Sequence, residues 1–189
     1  RAAGACNEIV GAGRDPVHLQ QAVDLGVIDR YETDIAAAVA GADVVFVSVP
    51  VGAMGTVFRA LKDSLSETAI LTDGGSAKGS VITAAEQAFG RVPTRFVPGH
   101  PIAGTERSGV AASTADLYRD RRVILTPLAE SDSEAIARVR AMWERTGAEV
   151  VEMESGTTFI TLLMVPCVYM ILEDFKRIAA RIGRLFKLG

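Results

Sequence analysis

A chain of 189 residues, 49% apolar and 23% charged, has ordinary globular composition and is long enough to bury a sizeable core. The formal net charge of −3 gives no basis for nucleic-acid binding. Cys6 and Cys167 lie too far apart for a zinc or redox motif, so no metal site is expected, and a reducing, cytoplasmic setting is.

Arg1-Ala2-Ala3-Gly4 reads as the last turn of a helix whose start is absent, and it lacks a signal-peptide pattern. The chain is therefore read as a fragment. Asn7 to Ala12 is a short apolar strand, after which Asp15-Pro16 offers an N-cap with proline at the first helical position. Leu19, Ala22 and Val23 then share one helix face, and Gly26 ends it. His18 falls on the polar face and is expected to be solvated.

The pattern repeats along the chain. Asp43 to Val49 is a nearly continuous β-branched run closed by Pro50, with Met54, Val57, Phe58 and Leu61 following at helical spacing. Further strands are expected at Ala69 to Thr72, Arg95 to Val97, Arg122 to Thr126 and Glu149 to Glu152. Helices are expected from Lys78 to Phe89 and from Asp132 to Thr146. Six apolar strands alternating with amphipathic helices predict an α/β, doubly wound, mostly parallel sheet over residues 1–154.

Residues 155–189 differ in character. Phe159 to Leu172 is 14 residues of almost wholly apolar sequence, followed by Lys176, Arg177, Arg181, Arg184 and Lys187 among apolar residues. Five basic and two acidic residues give this helical tail a net +3, against −6 for the remainder. The apolar run falls short of the about 20 residues that span a bilayer. The basic amphipathic part suits a membrane surface, so any membrane contact is assigned to the tail alone.

Ligands of open α/β sheets bind at the carboxyl ends of the strands. Those ends supply Gly13-Arg14, Val49-Pro50, Asp73-Gly74-Gly75-Ser76-Ala77-Lys78 and the Gly/Pro-rich turn holding His100. An imidazole titrates near neutrality, and flanking glycines admit a ligand closely; alternatively His100 bonds a carbonyl within its loop. Ser76 and Lys78 open a helix whose free N–H groups favour an anionic ligand. The other reading is an ordinary cap by Ser76 and a solvated Lys78.

Taken together, Asp73-Gly74-Gly75-Ser76-Ala77-Lys78, Pro98-Gly99-His100-Pro101-Ile102-Ala103-Gly104-Thr105-Glu106-Arg107-Ser108-Gly109, and Leu117-Tyr118-Arg119 before Val123-Ile124-Leu125-Thr126-Pro127 resemble prephenate dehydrogenase. The resemblance covers roughly residues 1–154 and implies a Rossmann-like NAD(P)-binding domain. It implies oxidative decarboxylation of prephenate to 4-hydroxyphenylpyruvate, or of arogenate to tyrosine, with hydride passing to NAD or NADP. It further implies that His100 accepts the proton of the ring hydroxyl and that Ser76 bonds both the histidine and that hydroxyl. Thr105 and Glu106 match residues at the mouth of the substrate pocket. Gly13, Arg14, Val49, Pro50, Ser76 and Lys78 fall to the cofactor. The small residue and arginine at Gly13-Arg14 leave room and charge for a 2′-phosphate, so NADP is expected to be accepted. Asp15 could reach the ribose, but its place before Pro16 favours capping.

The chain departs from the family in two places. The family's first strand and its Gly-x-Gly-x-x-Gly turn are missing, and beyond Glu154 nothing matches the helical domain through which family members form homodimers. Gly156 to Tyr169 instead resembles the last transmembrane helix of resistance-nodulation-division efflux transporters. A second reading is therefore a non-catalytic or membrane-associated fragment of a composite chain. A third, another small acid handled by a related Rossmann oxidoreductase, is disfavoured by Glu106 and the Gly-His-Pro turn.

Overall fold

The computed structural model describes residues 6–104 and 109–153. The tail from 155 to 189, with its efflux-transporter resemblance, lies outside the described residues, as do Thr105 and Glu106.

Strand β1 (Val10–Ala12) hands over to helix α1 (Pro16–Asp24), as the sequence predicts. The Asp15 carboxylate accepts hydrogen bonds from the backbone N–H groups of Val17 and His18, so it caps the helix. Gly26, at φ +67°, takes the left-handed conformation just past its end. The chain then enters β2 (Arg30–Glu32), parallel to β1, and the short helix α2 (Ile35–Val39). Neither is among the expected elements. The strand is three residues of Arg-Tyr-Glu with no apolar alternation, and Arg30 is occupied with Glu8 and Glu32 on the surface.

Next come β3 (Val44–Val47), helix α3 (Met54–Leu61), β4 (Ile70–Asp73), helix α4 (Lys78–Phe89) and β5 (Phe96–Val97). The three strands form a parallel sheet in the order β3-β4-β5. Alternate residues of each strand point to opposite faces, and helices cover both. Leu71 and Phe96 meet Phe58, Leu61, Val81 and Ala85 of α3 and α4. Ile70 and Val97 meet Ala135, Val139 and Trp143 on the other side. Burial on both faces explains why the strands read as continuous apolar runs.

After Pro98 the same extended segment changes partner. Residues 96–97 pair with β4, whereas β6 (Gly99–Pro101) pairs antiparallel with β7 (Arg122–Leu125), His100 lying opposite Ile124. Helix α5 (Ser133–Glu144) and β8 (Glu149–Glu152), parallel to β7, complete the described chain. The described residues therefore carry two strands beyond the six expected. His100 stands on a strand rather than in a turn, hidden from sequence patterning because glycine and proline flank it. Both are tolerated here because β6 has only β7 as a ladder neighbour.

Among the described residues, no helix is long and apolar enough to cross a membrane, and no His, Cys, Asp or Glu cluster could hold a metal ion. No ladder joins β1 to β3 among the described residues.

Candidate active site

The site is organised around the end of β4. Asp73 terminates that strand with its side chain fully buried. One carboxylate oxygen, Oδ2, accepts the Gly75 N–H at 2.7 Å, and the other, Oδ1, accepts the Gly99 N–H at 3.2 Å. The Lys78 ammonium, from the first turn of α4, pairs with Oδ2 and donates to the Gly99 carbonyl at 2.6 Å. Burial drives both ionisable groups toward their neutral forms, raising the Asp73 pKa and lowering that of Lys78, while their mutual attraction opposes it.

Close approach of the strands depends on Gly99. A Cβ there would lie 2.9 Å from the Asp73 carbonyl oxygen, a backbone atom that has no freedom to swing away. Gly75 is similarly confined: its Cβ would meet Asp73 Oδ2 at 3.0 Å and Val81 at 3.0 Å. The glycines that mark this region in the sequence are thus required by packing.

His100 follows directly. Its ring is half-buried, and Nδ1 is buried without a hydrogen-bond partner among the described residues. Burial first, and the nearby Lys78 charge second, lower its pKa to about 4. At neutral pH the imidazole is therefore uncharged and able to accept a proton.

Ser76 sits exposed in the β4–α4 connection, one residue beyond the Gly75 amide that Asp73 holds. It is not the cap of α4: Ala77 occupies that position without a side-chain hydrogen bond. Asp73 thus gathers the Ser76 connection and the His100 strand at one end of the sheet. Lys78 is not the solvated lysine of the alternative reading: its side chain is 1% exposed and is held by Asp73 and the Gly99 carbonyl.

The remaining expected positions also follow strand ends. Gly13 and Arg14 come directly after β1, with Arg14 exposed and Asp15 committed to its cap. Val49 packs on the core beyond β3, and exposed Pro50 precedes a short 3₁₀ turn at Val51–Ala53. Tyr118 of the third motif packs edge-on against Trp143, ring centroids 5.0 Å apart, and so anchors its loop to α5. Asp73 was the residue that composition and spacing left without a role. The available signal was a carboxylate at the end of an apolar strand, which needs a buried partner.

Parallel strands covered by helices on both faces, with polar groups gathered at their carboxyl ends, define a doubly wound nucleotide-binding domain. The chain belongs to the prephenate dehydrogenase family: residues 1–152 match the family described as prephenate dehydrogenase, nucleotide-binding domain. It is 41% identical over 131 residues to the cyclohexadienyl dehydrogenase of Zymomonas mobilis, a match covering 69% of this chain and 43% of that protein. It is 33% identical over 148 residues to the prephenate dehydrogenase of Bacillus subtilis, covering 77% of this chain and 39% of that one. The chain thus spans less than half the length of these curated relatives. The Aquifex aeolicus prephenate dehydrogenase solved with hydroxyphenyl propionate and NAD+ superimposes with a TM-score of 0.80 at 36% identity, over 93% of this chain and 62% of that one.

Proposed function

We propose that this chain forms the nucleotide-binding part of an enzyme that oxidatively decarboxylates prephenate or arogenate, with NAD or NADP as hydride acceptor. The observation that carries the reading is His100, half-buried at the carboxyl end of the parallel sheet and held uncharged by its surroundings. Its imidazole takes the proton of the ring hydroxyl as the carbon bearing that hydroxyl loses hydride. The nicotinamide, when bound, supplies the hydride acceptor. The ring carboxylate leaves as carbon dioxide, its bonding electrons completing the aromatic ring. Ser76 orients the hydroxyl, and Thr105 and Glu106 are assigned to the substrate by the motif that they belong to.

The strand ends fit a dinucleotide. Gly13 leaves the β1 terminus without a side chain, Arg14 is exposed beside it, and Val49-Pro50 follows the end of β3. With Asp15 engaged by two backbone N–H groups, no carboxylate at this terminus is free of a competing bond. This supports use of NADP alongside NAD. The same reading carries a cytoplasmic setting and a homodimer of the longer protein.

The test is NAD and NADP reduction, followed at the nicotinamide absorbance, with prephenate and with arogenate as substrates. It is run on this chain and on the full product of its gene. Reduction that depends on either acid supports the proposal. Absence of reduction with both acids in the full gene product, under conditions where it binds NAD or NADP, overturns it.

A further inference from the structure

We propose that Asp73 and Lys78 are positioning residues for His100: their buried ion pair grips both the N–H and the carbonyl of Gly99 and thereby fixes the backbone from which the imidazole projects. This rests on the reading of His100 as the proton acceptor. The geometry behind it is specific. Asp73 Oδ1 takes the Gly99 N–H at 3.2 Å, and Lys78 Nζ gives a hydrogen bond to the Gly99 carbonyl at 2.6 Å. The two side chains are themselves joined through Asp73 Oδ2, which also holds the Gly75 N–H at 2.7 Å. One pair therefore ties the end of β4, the start of α4 and the start of β6 into a single unit.

Stability alone does not account for such a pair. Removing two charges from water costs much of what their attraction returns, and apolar replacements of similar volume are often as stable. Two apolar side chains could fill this space, but neither could bond a peptide N–H or carbonyl. Gly99 N–H is turned to Asp73 and its carbonyl to Lys78, so the two peptide groups that flank the Gly99 Cα, the second of which leads into His100, are each held by one member of the pair. Errors of about 1 Å in placing a catalytic group can cost on the order of 10²-fold in rate. The arrangement also sets a positive charge behind the imidazole, which opposes its protonation.

The test uses NMR titration of the imidazoles in the full chain, in which His18 and His100 are the only histidines. This readout needs no turnover, so it stays informative even if prephenate proves not to be the substrate. In the unaltered protein His100 is expected to titrate near pH 4. Lys78→Met should move that midpoint up, and Asp73→Asn should leave it level or move it down, because the two substitutions remove charges of opposite sign. Where the longer gene product is active, Lys78→Met should lower kcat about 10²-fold with KM changed less than about threefold. The acid limb of its pH profile should rise with the NMR midpoint.

Equal upward shifts in both variants, or none in either, overturn the proposal. So does a Lys78→Met enzyme with full kcat. Should the single variants fail to fold, amide exchange at Gly99 in the unaltered protein decides. A Gly99 N–H protected as strongly as those of β4 supports the clamp, and one exchanging freely contradicts it.

Discussion

Lys78 and His100 lie 22 positions apart in the sequence, yet the Lys78 ammonium bonds the carbonyl of Gly99, the residue immediately before the histidine. The start of a helix and the start of an antiparallel strand are thereby joined at the end of a parallel sheet. The imidazole projects from the residue after that junction, and its neutral charge comes first from burial and second from the nearby Lys78 charge.

Gly99→Ala should destabilise the protein by about 1–3 kcal/mol, a typical cost of forcing extra volume into packed surroundings. The added Cβ would sit 2.9 Å from a backbone oxygen of Asp73, so the strands must part to admit it. Gly52→Ala is the matched control: no atom lies within 4 Å of its Cβ position, and its stability should stay within about 0.5 kcal/mol. Urea denaturation of the two variants distinguishes these outcomes.

Acid should weaken the fold through His100. Its pKa falls from 6.5 to about 4 on folding, so between these values the unfolded chain binds more protons than the folded one. The stability contributed by the buried neutral ring is complete above pH 6.5 and declines as the pH falls toward about 4. Denaturation midpoints measured across that window should drop less steeply in His100→Asn than in the unaltered protein.

Phe58→Ala should cost about 3–5 kcal/mol, the range for emptying a buried aromatic site. Phe58 is 0% exposed and packs against Phe96 and Phe89 with ring centroids 5.7 Å and 6.1 Å away. A thermal melt lowered by only a degree or two would contradict the packing described for the α3–α4 face.

Much of this molecule can be read from its residues because local and tertiary signals agree. Asp15-Pro16 and Asp132 mark helix starts that the structure retains, with Asp132 accepting the Ala135 N–H at 2.8 Å. Lys78–Phe89 and Glu149–Glu152 form over the expected residues, since continuous apolar strands and amphipathic helices each need a buried face. The two unexpected strands lack that pattern: Arg30–Glu32 is polar at both ends, and Gly99–Pro101 is built from residues that ordinarily interrupt strands. The site is legible in part. Three motifs mark His100 and Ser76, but the inward turn of Lys78 is not visible in spacing, because a lysine at a helix start is ordinarily solvated. Its burial follows from a long-range carboxylate partner.

Cofactor choice should depend on Arg14. Arg14 is exposed just after β1, and in the proposed reading its guanidinium meets the 2′-phosphate. Arg14→Ala should weaken NADP binding about tenfold, the equivalent of roughly 1.4 kcal/mol, while changing NAD binding little. Calorimetric titration of both nucleotides checks this, and an equal loss for the two would contradict the assignment.

The central claim is that His100 accepts the substrate proton. The most direct measurement is kcat for prephenate-dependent nucleotide reduction by the full gene product and its His100→Asn variant, with nucleotide affinity measured on the same samples. The account predicts a fall of about 10²- to 10⁴-fold, the usual contribution of a positioned general base, with nucleotide affinity retained. A His100→Asn enzyme that turns over at the unaltered rate would contradict it.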